Sequence, residues 1–181
     1  MKLHLGSGKR YIPGFIHIDI NPFPHIDYVH DISKLPMIKS NSCELIYFSH
    51  GIEYFDREEI KRALKEWKRV LKKEGIIRLA VPDFEALIKV YKKYKDLNKI
   101  IGPLYGRWEV KSKKKKIIYH KTVYDFKSIK NVLESAGFRQ VKRYNWRETI
   151  HKDYDDYSQS YIPHMQKETG LLLSLNVEAT K

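Results

Sequence analysis

Residues 3–21 read LHLGSGKRYIPGFIHIDIN. Two short apolar runs, Leu3-His4-Leu5 and Phe15-Ile16-His17-Ile18, frame a turn built on Gly6-Ser7-Gly8, and the second run closes on Asp19. Each run has the length of a strand. The glycines let the backbone turn sharply and approach a ligand with no Cβ in the way. On its own a G-x-G is equally an ordinary tight turn, and Asp19 beside Asn21-Pro22 is equally a turn residue. A dinucleotide fold asks for G-x-G-x-x-G opening a full helix, with its acid about 20 residues on. Here position 11 is Tyr11, the connection carries Pro13-Gly14, and Asp19 follows Gly8 too closely. There is room for one helical turn, not for a helix whose N-terminus cradles a diphosphate. A nucleoside without phosphate remains, because a carboxylate at a strand tip can accept both ribose hydroxyls. No G-K-[ST] follows, so a P-loop is excluded.

Outward from this stretch the pattern repeats. Tyr28-Val29-His30 ends at Asp31, Leu45–Phe48 ends at Ser49-His50, and Ile76–Val81 ends at Pro82-Asp83. Between the last two lies a helix capped by Asp56 with Glu59 three residues on. Its stripe is Ile60, Ala63, Leu64, Trp67, Val70 and Leu71, and Glu74-Gly75 ends it. A second helix starts at Asp83, with Phe84, Leu87, Ile88 and Tyr91 on one face. Residues 95–119 read as an irregular basic insertion holding Gly102-Pro103, Gly106 and the lysine-rich run 111–116. A third helix spans Asp125–Ala136 with Gly137 as its left-handed cap. Val141–Trp146 and Leu171–Ala179 read as closing strands. Alternation of strands and helices implies an α/β fold with a mostly parallel sheet. Ligands then bind at the carboxyl ends of the strands, where Gly6, Asp19, Asp31, Ser49-His50 and Asp83 gather.

The chain has 181 residues, enough for a single domain over 1–181, with 42% hydrophobic and 31% charged residues. These proportions exclude a disordered tail protein. With a single Cys, Cys43, there is no intramolecular disulfide and no cysteine-rich metal site, and the reading is cytoplasmic. Metal binding is not expected, since His25, Asp27, His30 and Asp31 fit no compact site. No apolar run reaches the roughly 20 residues of a membrane span. The net charge of +13 calls for an acidic partner. Aromatics interleave with the basic segment, a pairing that stacks nucleobases or packs on sugars.

Together LHLGSGKRYIPGFIHIDIN, HDISKLP, ELIYFSHGIEYF and LKEWKRVLKKEGIIRLAVPDFEALI resemble the small class I S-adenosylmethionine-dependent methyltransferases, and within them a short group met in polysaccharide-biosynthesis gene sets. The resemblance implies a Rossmann-like sheet with an antiparallel last strand and a truncated first helix. It implies S-adenosyl-L-methionine as cofactor. By resemblance Leu5, Gly6, Ser7 and Gly8 pass under its methionine part, Asp19 takes the ribose hydroxyls, and Asp31 and Ile32 lie along the adenine. Ser49 and His50 line the methionine side. His50, at a strand tip, is the candidate catalytic base; Glu53 could do the same or simply serve the start of the following helix. Glu53, His120, Asp156 and Ser158 are the candidate acceptor residues. The subgroup's H-x-x-E-H is here His50-Gly51-Ile52-Glu53-Tyr54, with Tyr54 in place of the second histidine. Three readings follow: methyl transfer to a small or glycan-type anionic acceptor, methyl transfer to RNA or DNA, and a non-catalytic basic binding module that keeps a cofactor pocket.

Overall fold

The computed structural model describes residues 1–110, 116–164 and 166–181. In chain order it runs β1 Lys2–Leu5, β2 Ile16–Asp19, β3 Tyr28–Val29, β4 Cys43–Ser49, α1 Glu59–Val70, β5 Leu71–Pro82 and α2 Phe84–Tyr94. Then follow α3 Ile101–Tyr105, β6 Trp108–Val110, β7 Lys116–Ile118, α4 Phe126–Ser135, β8 Arg139–Arg143, β9 Tyr161–Ile162, β10 Leu171–Leu172 and β11 Ser174–Thr180. The main sheet has the order β3-β2-β1-β4-β5-β11-β8. β1 to β5 are mutually parallel, and β11 runs antiparallel to both neighbours. This is the α/β sheet with an antiparallel last strand that the sequence predicts.

Strand side chains alternate between the two faces, so adjacent strands in register share one. Leu3, Ile46, Ile77 and Ala179 sit side by side, as do Leu5, Phe48, Leu79 and Val177. They form the main core with the buried stripe of α1 (Ile60, Ala63, Leu64, Trp67, Val70) and with Ile129 and Leu133 of α4. The Asp56–Glu59 cap forms as expected. Asp56 Oδ1 accepts from the Glu58 and Glu59 N–H groups, and Glu59 Oε2 accepts from the Asp56 N–H. α4 carries a capping box between Asp125 and Ser128.

The opposite face carries polar groups beside Leu45 and Ile76, and among the described residues no α-helix covers it. His4 lies between His17 and Tyr47, and Tyr47 is in register with Arg78, which faces Glu178. Arg78 and Glu178 pair at 2.8 Å. The β1–β2 connection contains turns and no helix, and drops Ile12 and Phe15 onto this face beside Tyr47. The segment between β8 and β11 covers the rest, with His151 stacked on Tyr47 at 4.0 Å. The truncated first helix of the resemblance is therefore fully replaced by turns.

Three expectations change. The α1 helix ends at Val70, not at Glu74, because Leu71 already pairs with Cys43, and the register then shifts before Leu45 meets Ile76. The last strand breaks at Leu173, whose N–H donates to the Ser160 carbonyl and whose carbonyl accepts from the Asp83 N–H, so Leu171-Leu172 pairs with β9 instead. The penultimate strand lies at Arg139–Arg143, and Asn145 caps a 3₁₀ turn at Trp146. The irregular insertion is also more ordered than its composition suggests, holding α3 and the β6–β7 ribbon. Of its lysine-rich run, residues 111–115 lie outside the described residues, and Lys116 begins β7. Among the described residues no helix is long and apolar enough to cross a membrane.

Candidate functional site

The chain leaves β1 through two left-handed glycines, Gly6 at φ +55 and Gly8 at φ +57. A Cβ on Gly6 would stand 2.7 Å from the Phe48 ring, so both the space and the dihedral call for glycine. Asp19 at the tip of β2 fixes this turn. Its Oδ2 accepts from the Gly8 N–H at 2.8 Å and its Oδ1 from the Asn21 N–H at 2.7 Å. Each oxygen keeps a lone pair for a ligand. A cavity of about 690 Å³ opens here, lined by Gly6, Ser7, Gly8, Asp19, Asp31, Ile32, Ser49 and His50. That volume suits a small-molecule ligand. The Ser7 and Ser49 hydroxyls are buried with no partner, as hydroxyls awaiting a polar ligand would be. The free lone pairs of Asp19 and the two unpartnered hydroxyls offer a nucleoside and an amino acid polar contacts, so the residues present fit S-adenosylmethionine.

The far end of the same cavity is a compact titratable cluster. His50 follows β4 with φ +50, and its Nε2 lies 3.1 Å from Ser174 Oγ. Glu53, in the 3₁₀ turn Ile52–Tyr54, is 1% exposed, and neither carboxyl oxygen has a hydrogen-bond partner. Glu53 Oε1 stands 4.0 Å from His50 Nδ1 and 3.6 Å from His120 Nε2. His120 is held from behind, with Nδ1 3.1 Å from the Pro103 carbonyl. Burial pushes the Glu53 carboxyl up to about 8. Burial, then the His120 ring, holds His50 down to about 3, and burial lowers His120. Burial thus favours the uncharged form of all three groups. Asp156 joins the cavity from the loop-covered face, accepting from the Tyr47 hydroxyl at 2.5 Å and the Ser158 N–H at 2.7 Å, and burial raises its pKa.

A methyltransferase-domain family profile matches residues 17–79. A solved S-adenosylmethionine-dependent methyltransferase from Archaeoglobus fulgidus superposes with TM-score 0.60 at 18% identity, over 99% of this chain and 85% of that one. One from Methanosarcina mazei superposes with TM-score 0.57 at 18% identity, over 99% and 91%. The fold is that of the class I S-adenosylmethionine-dependent methyltransferases. A demethylmenaquinone methyltransferase from Staphylococcus haemolyticus is 29% identical over 146 residues, and the match spans 75% of this chain but 59% of that relative.

On this methyltransferase fold the sequence-derived residues separate into two sets. Gly6, Ser7, Gly8, Asp19, Asp31, Ile32, Ser49, His50, Glu53, His120 and Asp156 all line the one cavity. Leu5 and Ser158 do not. Leu5 is fully buried in the main core, and Ser158 is buried with its N–H on Asp156 and its carbonyl on Asn176. Trp108 of the ribbon, one of the aromatics of the basic segment, lies on the cavity wall, and sequence reading missed Lys9, Arg10, Tyr157 and Arg107 there. It also missed Gly106, at φ +55, where a Cβ would strike the His120 ring. The G-P and lone glycine of that segment were visible, but nothing in sequence tied Gly106 to His120. Among the described residues no group of three or more His, Cys, Asp or Glu is placed to share a metal ion.

Proposed function

We propose that this chain transfers a methyl group from S-adenosylmethionine to a small or glycan-type acceptor bearing negative charge. The observation that carries the reading is the single cavity at the tips of β1, β2 and β4, where a glycine turn is pinned by Asp19 and two buried serine hydroxyls stand unpaired. In it Gly6, Ser7 and Gly8 would accommodate the methionine part of the cofactor, with Leu5 ending the strand beneath. Asp19 would accept the ribose hydroxyls, Asp31 and Ile32 would flank the adenine, and Ser49 and His50 would line the methionine side. The bound cofactor supplies an electrophilic methyl on a cationic sulfur. The protein's part is alignment and handling of the acceptor proton.

For the acceptor, the support is charge at the cavity mouth. Lys9, Arg10 and Arg107 line it, and among the described residues none of the three forms an ion pair. Glu53, His120 and Asp156 would meet the acceptor, and Ser158 would hold Asp156 in place. A glycan acceptor, of the kind made in polysaccharide biosynthesis, agrees with this polar wall. A second reading, a nucleic-acid acceptor, draws on a separate groove between α1 and α4. Arg57, Lys61, Lys65 and Lys68 line it at helical spacing, and His120 lines both groove and cavity.

Calorimetry with S-adenosylmethionine and S-adenosylhomocysteine tests the core of the proposal. Micromolar binding is expected, and no binding below millimolar concentration would end the reading. Asp19→Ala is expected to weaken binding by roughly tenfold to a hundredfold, as for lost charge-assisted hydrogen bonds. Transfer of labelled methyl into glycan, nucleotide or RNA fractions then chooses the acceptor. No transfer into any of them would leave the binding-module reading. Binding to RNA that falls steeply with salt would favour the nucleic-acid reading.

A further inference from the structure

The cavity holds several carboxyl groups, but they are not equivalent. Asp19 is committed to two backbone N–H groups, and Asp156 to the Tyr47 hydroxyl and the Ser158 N–H. Asp31 Oδ1 accepts from the Ser33 N–H. Glu53 alone among these has two buried oxygens with no partner. Its backbone is anchored, since the Glu53 carbonyl accepts from the Lys121 and Thr122 N–H groups, so the carboxyl is held where it stands. The titratable groups against it are His50, His120, Tyr54 and Tyr124. Lys9, Arg10 and Arg107 line the same cavity, and among the described residues none of the three pairs with Glu53. His50 is engaged by Ser174, and burial leaves it a weak base. Among the described residues, no lysine or arginine pairs with an ionised Glu53.

We propose that Glu53 is the proton acceptor of the transfer reaction, and that the charge of the bound methyl donor switches it from acid to base. The proposal rests on the methyltransferase reading above. A cationic sulfur brought into the cavity lowers the cost of a buried carboxylate there, and Glu53 sheds its proton as the donor binds. In the reaction the acceptor's lone pair forms the new bond to the methyl carbon. The sulfur–carbon bond breaks and its electron pair stays on sulfur. The electrons of the acceptor X–H bond stay on X, and the proton passes to Glu53. Sulfonium plus carboxylate becomes thioether plus carboxylic acid, so the summed charge of the pair is zero before and after. Glu53 then sits protonated against a neutral product, its resting state in the empty cavity, and no buried charge is stranded at any stage.

The two ligands of the calorimetric test differ in charge only at sulfur, which makes the proposal separable from simple binding. Each is titrated at pH 7 in two buffers of different ionisation enthalpy, and protons released per ligand are counted. The wild-type protein is expected to release close to one more proton with S-adenosylmethionine than with S-adenosylhomocysteine. The ratio of the two affinities should rise with pH, up to about tenfold from pH 6.5 to 7.5, and level off above the free carboxyl's pKa. Glu53→Gln should equalise the proton counts while still binding S-adenosylhomocysteine, which also reports that the variant is folded. Equal counts in the wild type would overturn the proposal, as would a difference that survives in Glu53→Gln. Binding of neither ligand would overturn the methyltransferase reading and this one with it, whereas binding of both with equal counts overturns this one alone.

Discussion

The two faces of the central sheet are built on opposite principles. One is apolar throughout and lies under α1 and α4, whose buried residues repeat at helical spacing. The other carries His4, His17, Tyr47, Arg78 and Glu178 and lies under loops. The first is stabilised mainly by area removed from water. The second depends on partners, and several of its polar atoms, among them His4 Nδ1 and both ring nitrogens of His151, are buried without one. The difference teaches that a methyltransferase sheet can dispense with the helix between its first two strands if a polar aromatic layer takes its place. Both faces end at the same row of strand tips, where the cavity lies.

Several measurements break or sharpen this contrast. Trp67→Ala removes a fully buried indole from the helical face, and should cost about 3–5 kcal/mol in urea unfolding. Glu178→Gln strikes the loop-covered face by removing the charge that faces the Arg78 guanidinium, with an expected loss of about 2 kcal/mol. If that variant were neutral, the polar face would be better solvated than its burial indicates.

Acid should also act on the loop-covered face. Burial holds His4 and His17 below their ordinary range and His151 down to about 4. The unfolded chain therefore takes up protons near pH 6.5 that the folded one refuses, so stability falls as pH drops from 6.5 towards 4. His151 alone accounts for about 1–2 kcal/mol between pH 7 and 5, and the urea midpoint of His151→Phe should fall less over that range than the wild-type midpoint if its titration is the cause. Smallest is the cap of α4. Asp125→Ala should cost about 1 kcal/mol with no pH dependence near neutrality, read from the same unfolding curves.

What the sequence made legible follows the same division. The helical face could be read because Ile60, Ala63, Leu64, Trp67 and Val70 share one period, and the strand tips could be read because each apolar run stops at a polar residue. The cavity's cofactor side came with them. The loop-covered face left no period. Its cover is made of 3₁₀ turns started by Asn145 and Asp156, each too short to register as a pattern. The ribbon was missed for a related reason, since its strands have three residues each, too few for alternation to show. The break in the last strand was invisible because it depends on Ser160 and Asp83, both remote in sequence from Leu173.

The β6–β7 ribbon has a consequence for the timing of the molecule. Two paired strands with no third neighbour are marginal by themselves, so the ribbon borrows order from what it covers. Trp108, Val110 and Ile118 turn towards the cavity, and an occupant gives them the apolar contact that a third strand would have provided. Amide hydrogens of this ribbon should therefore exchange with solvent faster than those of β4 and β5, and slow when the cavity fills.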